Sequence, residues 1–101
     1  MNNMAENRIA KVTEVGDSWL ISGDVLMGTA HDLLKQSEAF AIGKNTKIDF
    51  AKVTDVDTVA VSLILEWQRR AAKESQSLSF VNLPVNLASL VQLYGVAELI
   101  N

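Results

Sequence analysis

Polar and apolar positions change their period along the chain, and each change predicts an element. Over residues 9–15 they alternate, with Ile9, Lys11 and Thr13 against Ala10, Val12 and Glu14, which predicts a strand. Gly16-Asp17 is a turn signal, and residues 18–22 (Ser-Trp-Leu-Ile-Ser) predict a second strand, so the chain opens with a β-hairpin that Gly23-Asp24 breaks. Residues 29–42 have helical spacing, with Ala30, Leu33, Leu34, Ser37 and Ala41 on one face. Thr29 and Asp32 are spaced as a capping box, and Gly43 is placed to end that helix. A short strand follows over residues 47–51, then a loop over 52–57, a long helix over 58–74 and a strand over 78–82. Pro84 begins a last helix with Leu87, Leu90, Val91 and Tyr94 on its core side; Gly95 stops it, and residues 96–100 form an apolar end that packs down.

The order β-β-α-β-α-β-α contains two strand–helix–strand units. Such crossovers join parallel neighbours, whereas the hairpin is antiparallel. The expected fold is therefore α/β: a mixed β-sheet with an N-terminal hairpin and helices packed on it. Residues 1–8 read as a tail and residues 9–101 as a single domain.

The long helix carries most of the information. At 100° per residue, Ala60, Leu63, Ile64, Trp67 and Ala71 share the side that faces the sheet. Thr58, Ser62, Glu66, Arg69 and Lys73 share the opposite side. Val61, Leu65 and Ala72 fall between. That flanking strip has two readings, packing on a neighbouring helix of the same domain or docking of another protein. Asp57 is placed to cap the helix, and the Thr58 hydroxyl then faces outward at its first turn. Trp19 and Trp67 read as packing residues.

Composition narrows the chemistry. The chain has 101 residues, 49% hydrophobic and 21% charged, with a net charge of −3, which lacks the basic surplus of a nucleic-acid binder. It has no cysteine and one histidine, His31, too few ligands for a thiolate or histidine metal site. The segment Gly43-Lys44-Asn45-Thr46 lacks the first glycine of a phosphate loop and joins a helix to a strand, the reverse of what such a loop requires. No Gly-x-Ser-x-Gly elbow is present for a hydrolase. These features predict a binding protein with no cofactor and no catalytic residue. Residues 1–8 lack the apolar core of a secretory signal, and the apolar run over residues 59–65 is far short of the ~20 residues that span a bilayer. A cytoplasmic protein that reaches a membrane only through a partner is expected.

The hairpin, the first helix and the stretch Ile-Asp-Phe-Ala-Lys-Val-Thr-Asp-Val-Asp-Thr over residues 48–58, leading into a helix of small and apolar residues, resemble the STAS domain. That family includes anti-sigma factor antagonists, in which the loop typically reads Asp-Ser-Ser-Gly and the second Ser accepts a phosphate. The matching residues here are Asp57, Thr58, Val59 and Ala60, so the acceptor position is a valine with no hydroxyl. Asp-Thr followed by small apolar residues is more similar to the stand-alone MlaB-type subfamily, which usually has Gly-Gly where this chain has Val59-Ala60. The resemblance implies a subunit that docks on the ATPase of an inner-membrane ABC transporter for phospholipids, the system that maintains outer-membrane lipid asymmetry. It implies that Thr58 lies on the docking surface. Asp57, Val61, Ser62, Leu65 and Arg69 are expected around it. His31 is either a polar first-turn residue of its helix or a further partner contact, because in this fold that helix start lies beside Thr58. The alternative function is an anti-sigma factor antagonist in a partner-switching system.

Overall fold

A computed structural model describes residues 8–99. Its elements are β1 (Lys11–Val15), β2 (Ser18–Val25), α1 (Ala30–Ser37), β3 (Lys47–Val56), α2 (Val59–Lys73), β4 (Ser79–Val81), α3 (Val85–Leu93) and a terminal 3₁₀ turn (Ala97–Leu99). The strands form one sheet in the order β1-β2-β3-β4. β1 is antiparallel to β2, and the other pairs are parallel. The mixed α/β sheet expected from the element order is thus the observed one. The anticipated tail, residues 1–8, lies outside the described residues except for Arg8. That residue is held in place: its carbonyl accepts from Asp24 N at 3.1 Å and its side chain meets the Asp24 carboxylate at 3.2 Å.

Alternation along the strands sends Val12, Trp19, Ile21, Val25, Ile48, Phe50 and Phe80 to one face, where the helices cover them. α2 lies on that face through Ala60, Leu63, Ile64, Trp67 and Ala71, all buried as its periodicity predicts. Trp19 and Trp67 meet edge to face with centroids 6.0 Å apart. The Trp67 indole N–H donates to the buried Ser37 hydroxyl at 2.9 Å, and Ser37 donates to the Leu34 carbonyl at 2.6 Å. The polar atoms of these two buried side chains are thereby satisfied, which removes the penalty for burying them.

Several boundaries differ from those expected, for identifiable reasons. Gly23-Asp24 does not break β2. Gly23 adopts φ +83°, and a Cβ there would stand 2.1 Å from the Ile9 carbonyl oxygen. The irregularity is absorbed as a register shift inside the strand, which runs on to Val25. The longer β2 then offers partners to residues 52–56, so β3 extends through the expected loop to Val56. α1 is shorter than its sequence period. After Ser37 the N–H groups of Glu38, Ala39 and Phe40 turn to carbonyls three residues back, and the Phe40 ring lies 6.0 Å from that of Trp19. Ala41 is consequently exposed in a loop, and Gly43 is no helix cap; its N–H donates to the Thr46 hydroxyl at 2.8 Å. Nor do Thr29 and Asp32 form a capping box. The Thr29 hydroxyl accepts from Leu26 N and donates to the Asp24 carbonyl, while Asp32 accepts from Gln36.

α3 ends as expected at Gly95, with φ +68° and a Val96 N–H to Val91 carbonyl bond that closes the last turn. Tyr94, expected in the core, is 54% exposed because the chain turns at Gly95 and carries the ring to the helix end. Val96 and Ala97 pack against the core as anticipated; Ile100 lies outside the described residues.

Candidate functional site

β2 and β3 are parallel, so the loops leading into α1 and α2 emerge side by side at the same end of the sheet. Crevices outside the carboxyl ends of parallel strands are the usual place for a site in open α/β sheets. Asp57 ties the two loops together. Its backbone N–H donates to the Val25 carbonyl at 3.2 Å. One carboxylate oxygen accepts from Val59 N and the other from Met27 N, each at 2.9 Å. The first bond satisfies an orphan donor of α2, as the capping expectation required. The second fixes Met27 beside the start of α2. Asp57 is therefore half-buried and committed to backbone; it shapes the site from beneath.

Above it, Thr58 already has helical angles (φ −61°, ψ −24°), and its side chain makes no capping bond. Its hydroxyl is exposed beside Ser62, one turn on, which is also exposed. Both border an open groove of about 490 Å³ floored and walled by Met27, Val59, Val61, Leu65, Tyr94 and Val96. Thr58, Val61, Ser62 and Leu65, four of the sequence-predicted residues, thus meet in one place.

Two of those residues sit deeper than the helical phase suggested. Val61 is only 6% exposed, and Leu65 is half-buried, because α3 and the segment after it close over that side of α2. The packing reading therefore holds for Val61, although one edge of it still faces the groove. His31 is exposed in the first turn of α1 and borders a smaller adjoining cleft of about 150 Å³ with Val59, Ser62 and Glu66. Arg69 is not brought to the groove. It pairs with Glu66 at 3.0 Å and lies, at 1.5 Å per residue, about 16 Å along the helix from Thr58.

Met27, Tyr94 and Val96 were not anticipated as site residues. Met27 is 78% exposed, an unusual position for an unbranched apolar side chain. A signal was available for it: Met27 stands between two helix-and-strand boundaries, where an apolar residue has no core to enter. For Tyr94 the helical period gave the opposite signal.

A family model described as "Mlab, STAS domain" matches residues 20–101, most of the chain. No curated protein sequence matches significantly. Among solved structures, the anti-sigma factor antagonist SpoIIAA in its unphosphorylated form is similar, with a TM-score of 0.61. The alignment covers 92% of this chain and 86% of that one at 12% identity, a likeness of fold. Neither match indicates an enzyme family; STAS domains mediate protein–protein interactions. With that family model matching most of its length, the chain belongs to the STAS domain family.

Proposed function

We propose that this chain is a non-catalytic subunit that binds the ATPase of an inner-membrane ABC transporter for phospholipids and regulates or stabilises it, in a system maintaining outer-membrane lipid asymmetry. The observation that carries this reading is the site at the start of α2: an exposed Thr58 hydroxyl, followed by Val59 and backed by an apolar groove. The match of residues 20–101 to the MlaB-type STAS family model supports it. Apolar walls with a few hydroxyls at the rim suit a protein surface that is desolvated on contact. The ATPase would carry out the chemistry. This subunit acts by binding one conformation or assembly state of the ATPase better than another, the only way a non-catalytic partner shifts an equilibrium. Such a subunit is cytoplasmic and meets the membrane only through its complex. It needs no cofactor and no nucleic acid. Among the described residues no helix is long and apolar enough to cross a membrane.

The second reading, an anti-sigma factor antagonist, is favoured by the likeness to SpoIIAA. Val59 stands against it, since a phosphate switch at that position needs a hydroxyl. Capture of the tagged chain from native membranes, with mass spectrometry of what it holds, separates the two: a transporter ATPase supports the first, a kinase-like anti-sigma factor the second. Thr58→Glu tests the surface. A negative charge at a helix N-terminus is compatible with folding, but buried unpaired in an apolar interface it costs several kcal/mol. The expected result is a wild-type circular dichroism spectrum with no ATPase co-purified, and leakiness to detergent in cells. A folded Thr58→Glu protein that still co-purifies fully would overturn the surface, and Leu65→Asp repeats the test should Thr58→Glu unfold.

A further inference from the structure

β1 is an edge strand, so one row of its backbone groups faces away from the sheet. The hairpin turn determines which row. Val15 and Ser18 close a two-residue loop with Gly16 at φ +60°, and such loops are flanked by a hydrogen-bonded pair. Pairing then alternates, so Thr13 and Lys11 bond to β2 while Val12 and its even-numbered neighbours face outward.

The outward groups at the middle of β1 are occupied by one side chain from α1. The Gln36 amide oxygen accepts from Val12 N at 2.8 Å, and the Gln36 amide nitrogen donates to the Ala10 carbonyl at 3.2 Å. A carbonyl and an N–H two residues apart, filled by one amide, is the pattern that a single residue of a parallel strand would make. The amide is itself oriented: its nitrogen also donates to Asp32, one turn earlier on α1, at 2.9 Å. That bond assigns which end of the amide is nitrogen, and both contacts with β1 then have the correct polarity.

We propose that Gln36 is a surrogate strand residue that closes the β1 edge against a second copy of this chain. The occupant it excludes follows from the edge itself. Lys-Val-Thr-Glu-Val is rich in β-branched residues, and a strand paired antiparallel with its own copy about a two-fold axis satisfies both edges at once. An open edge of this kind is a template for self-association, and covering it with a helix is one of the devices that prevents this. Here the cover works through hydrogen bonds as well as bulk. Lys11 and Glu14 add charge along the same strand, but charge alone leaves the Val12 N–H unfilled.

The test begins on the wild-type chain. In hydrogen exchange followed by NMR, the Val12 amide is expected to exchange much more slowly than that of Glu14, the next outward residue; equal rates would overturn the proposal. Gln36→Met then keeps the length of the side chain and removes its hydrogen bonds. Sedimentation equilibrium over a wide concentration range is expected to show added self-association, a shift toward twice the wild-type mass as concentration rises. Adding Glu14→Pro, which removes an outward N–H that an edge strand can spare, should abolish that shift. A Gln36→Met chain with the mass of wild type throughout, or one whose association survives Glu14→Pro, would overturn the assignment. If Gln36→Met does not fold, the wild-type exchange order decides the question alone.

Discussion

At the C-terminal end of α1, the carbonyls of Ser37 and Phe40 both accept from the Arg70 guanidinium, which also lies over the Trp19 ring at 5.6 Å. The Ser37 hydroxyl is taken by Trp67, and the last N–H groups turn back on the helix. At the N-terminal end, Asp57 and Thr29 bond the loop backbone from within, yet Met27, His31 and Thr58 are left exposed. One end of the helix is closed with side-chain bonds and aromatic packing. The other has its loop backbone tied by Asp57 and Thr29 and leaves its side chains uncovered. What remains open is apolar surface with hydroxyls beside it, which is what a partner protein can cover.

The closed end should be where stability resides. Trp67→Ala removes a side chain with no exposure and orphans the buried Ser37 hydroxyl from its donor. Truncating a buried Trp costs about 3–5 kcal/mol, a large share of the ~5–15 kcal/mol that holds a domain together. Urea denaturation should show that loss. A midpoint equal to wild type would mean that α2 is rotated from the phase described.

Arg70→Ala is the next largest. It removes charge-assisted bonds to two carbonyls and the contact with Trp19, but Arg70 is partly exposed and water can replace some of what is lost. A destabilisation of about 1.5–3 kcal/mol is expected. Arg70→Lys should recover little of it, because an ammonium cannot bridge two carbonyls with a planar fork. Equal stability of the lysine and wild-type chains would reduce Arg70 to a surface charge.

The same contrast explains what was legible in the sequence. Elements whose burial follows a single period were readable: α2's core face, the hairpin turn, the order of strands and helices. The closed end was not, because it depends on residues far apart in the chain, Ser37 with Trp67 and Arg70 with Phe40. α1 kept a helical period past its true end because Phe40 leaves the helix to reach Trp19, a preference no local pattern encodes. β2 and β3 were both cut short for one reason: Gly23, a breaker by composition, serves as an in-strand kink against Ile9. At the open end, Thr58, Ser62 and Leu65 were legible from helical phase, together with the resemblance at residues 48–58. Tyr94 and Val96 were not, since they come from the end of α3 and the segment after it, and Met27 was marked only by its place as an apolar residue in a loop. Arg69 shares the phase of Thr58 but stands too far along the axis, which a helical wheel does not represent.

The smallest expected effects on folding sharpen the open end. Tyr94 and Val85 are both exposed apolar residues of the α3 region, at 54% and 85%. Only Tyr94 borders the groove. Its ring is already half in water, so Tyr94→Ser should cost under about 1 kcal/mol of stability. In a complex the same ring would be desolvated against the partner, and aromatic residues in such positions dominate interface energies. Affinity for the captured partner should fall by about 2 kcal/mol, roughly thirty-fold. Val85→Ser removes a comparably exposed apolar group at the other end of α3 and should change neither stability nor affinity measurably. Calorimetric titration of the two variants therefore separates a groove that docks from a surface that is merely apolar. Equal losses for Tyr94→Ser and Val85→Ser would point to general hydrophobic adhesion, and a loss at Val85 alone would move the docking surface to the opposite end of the helix.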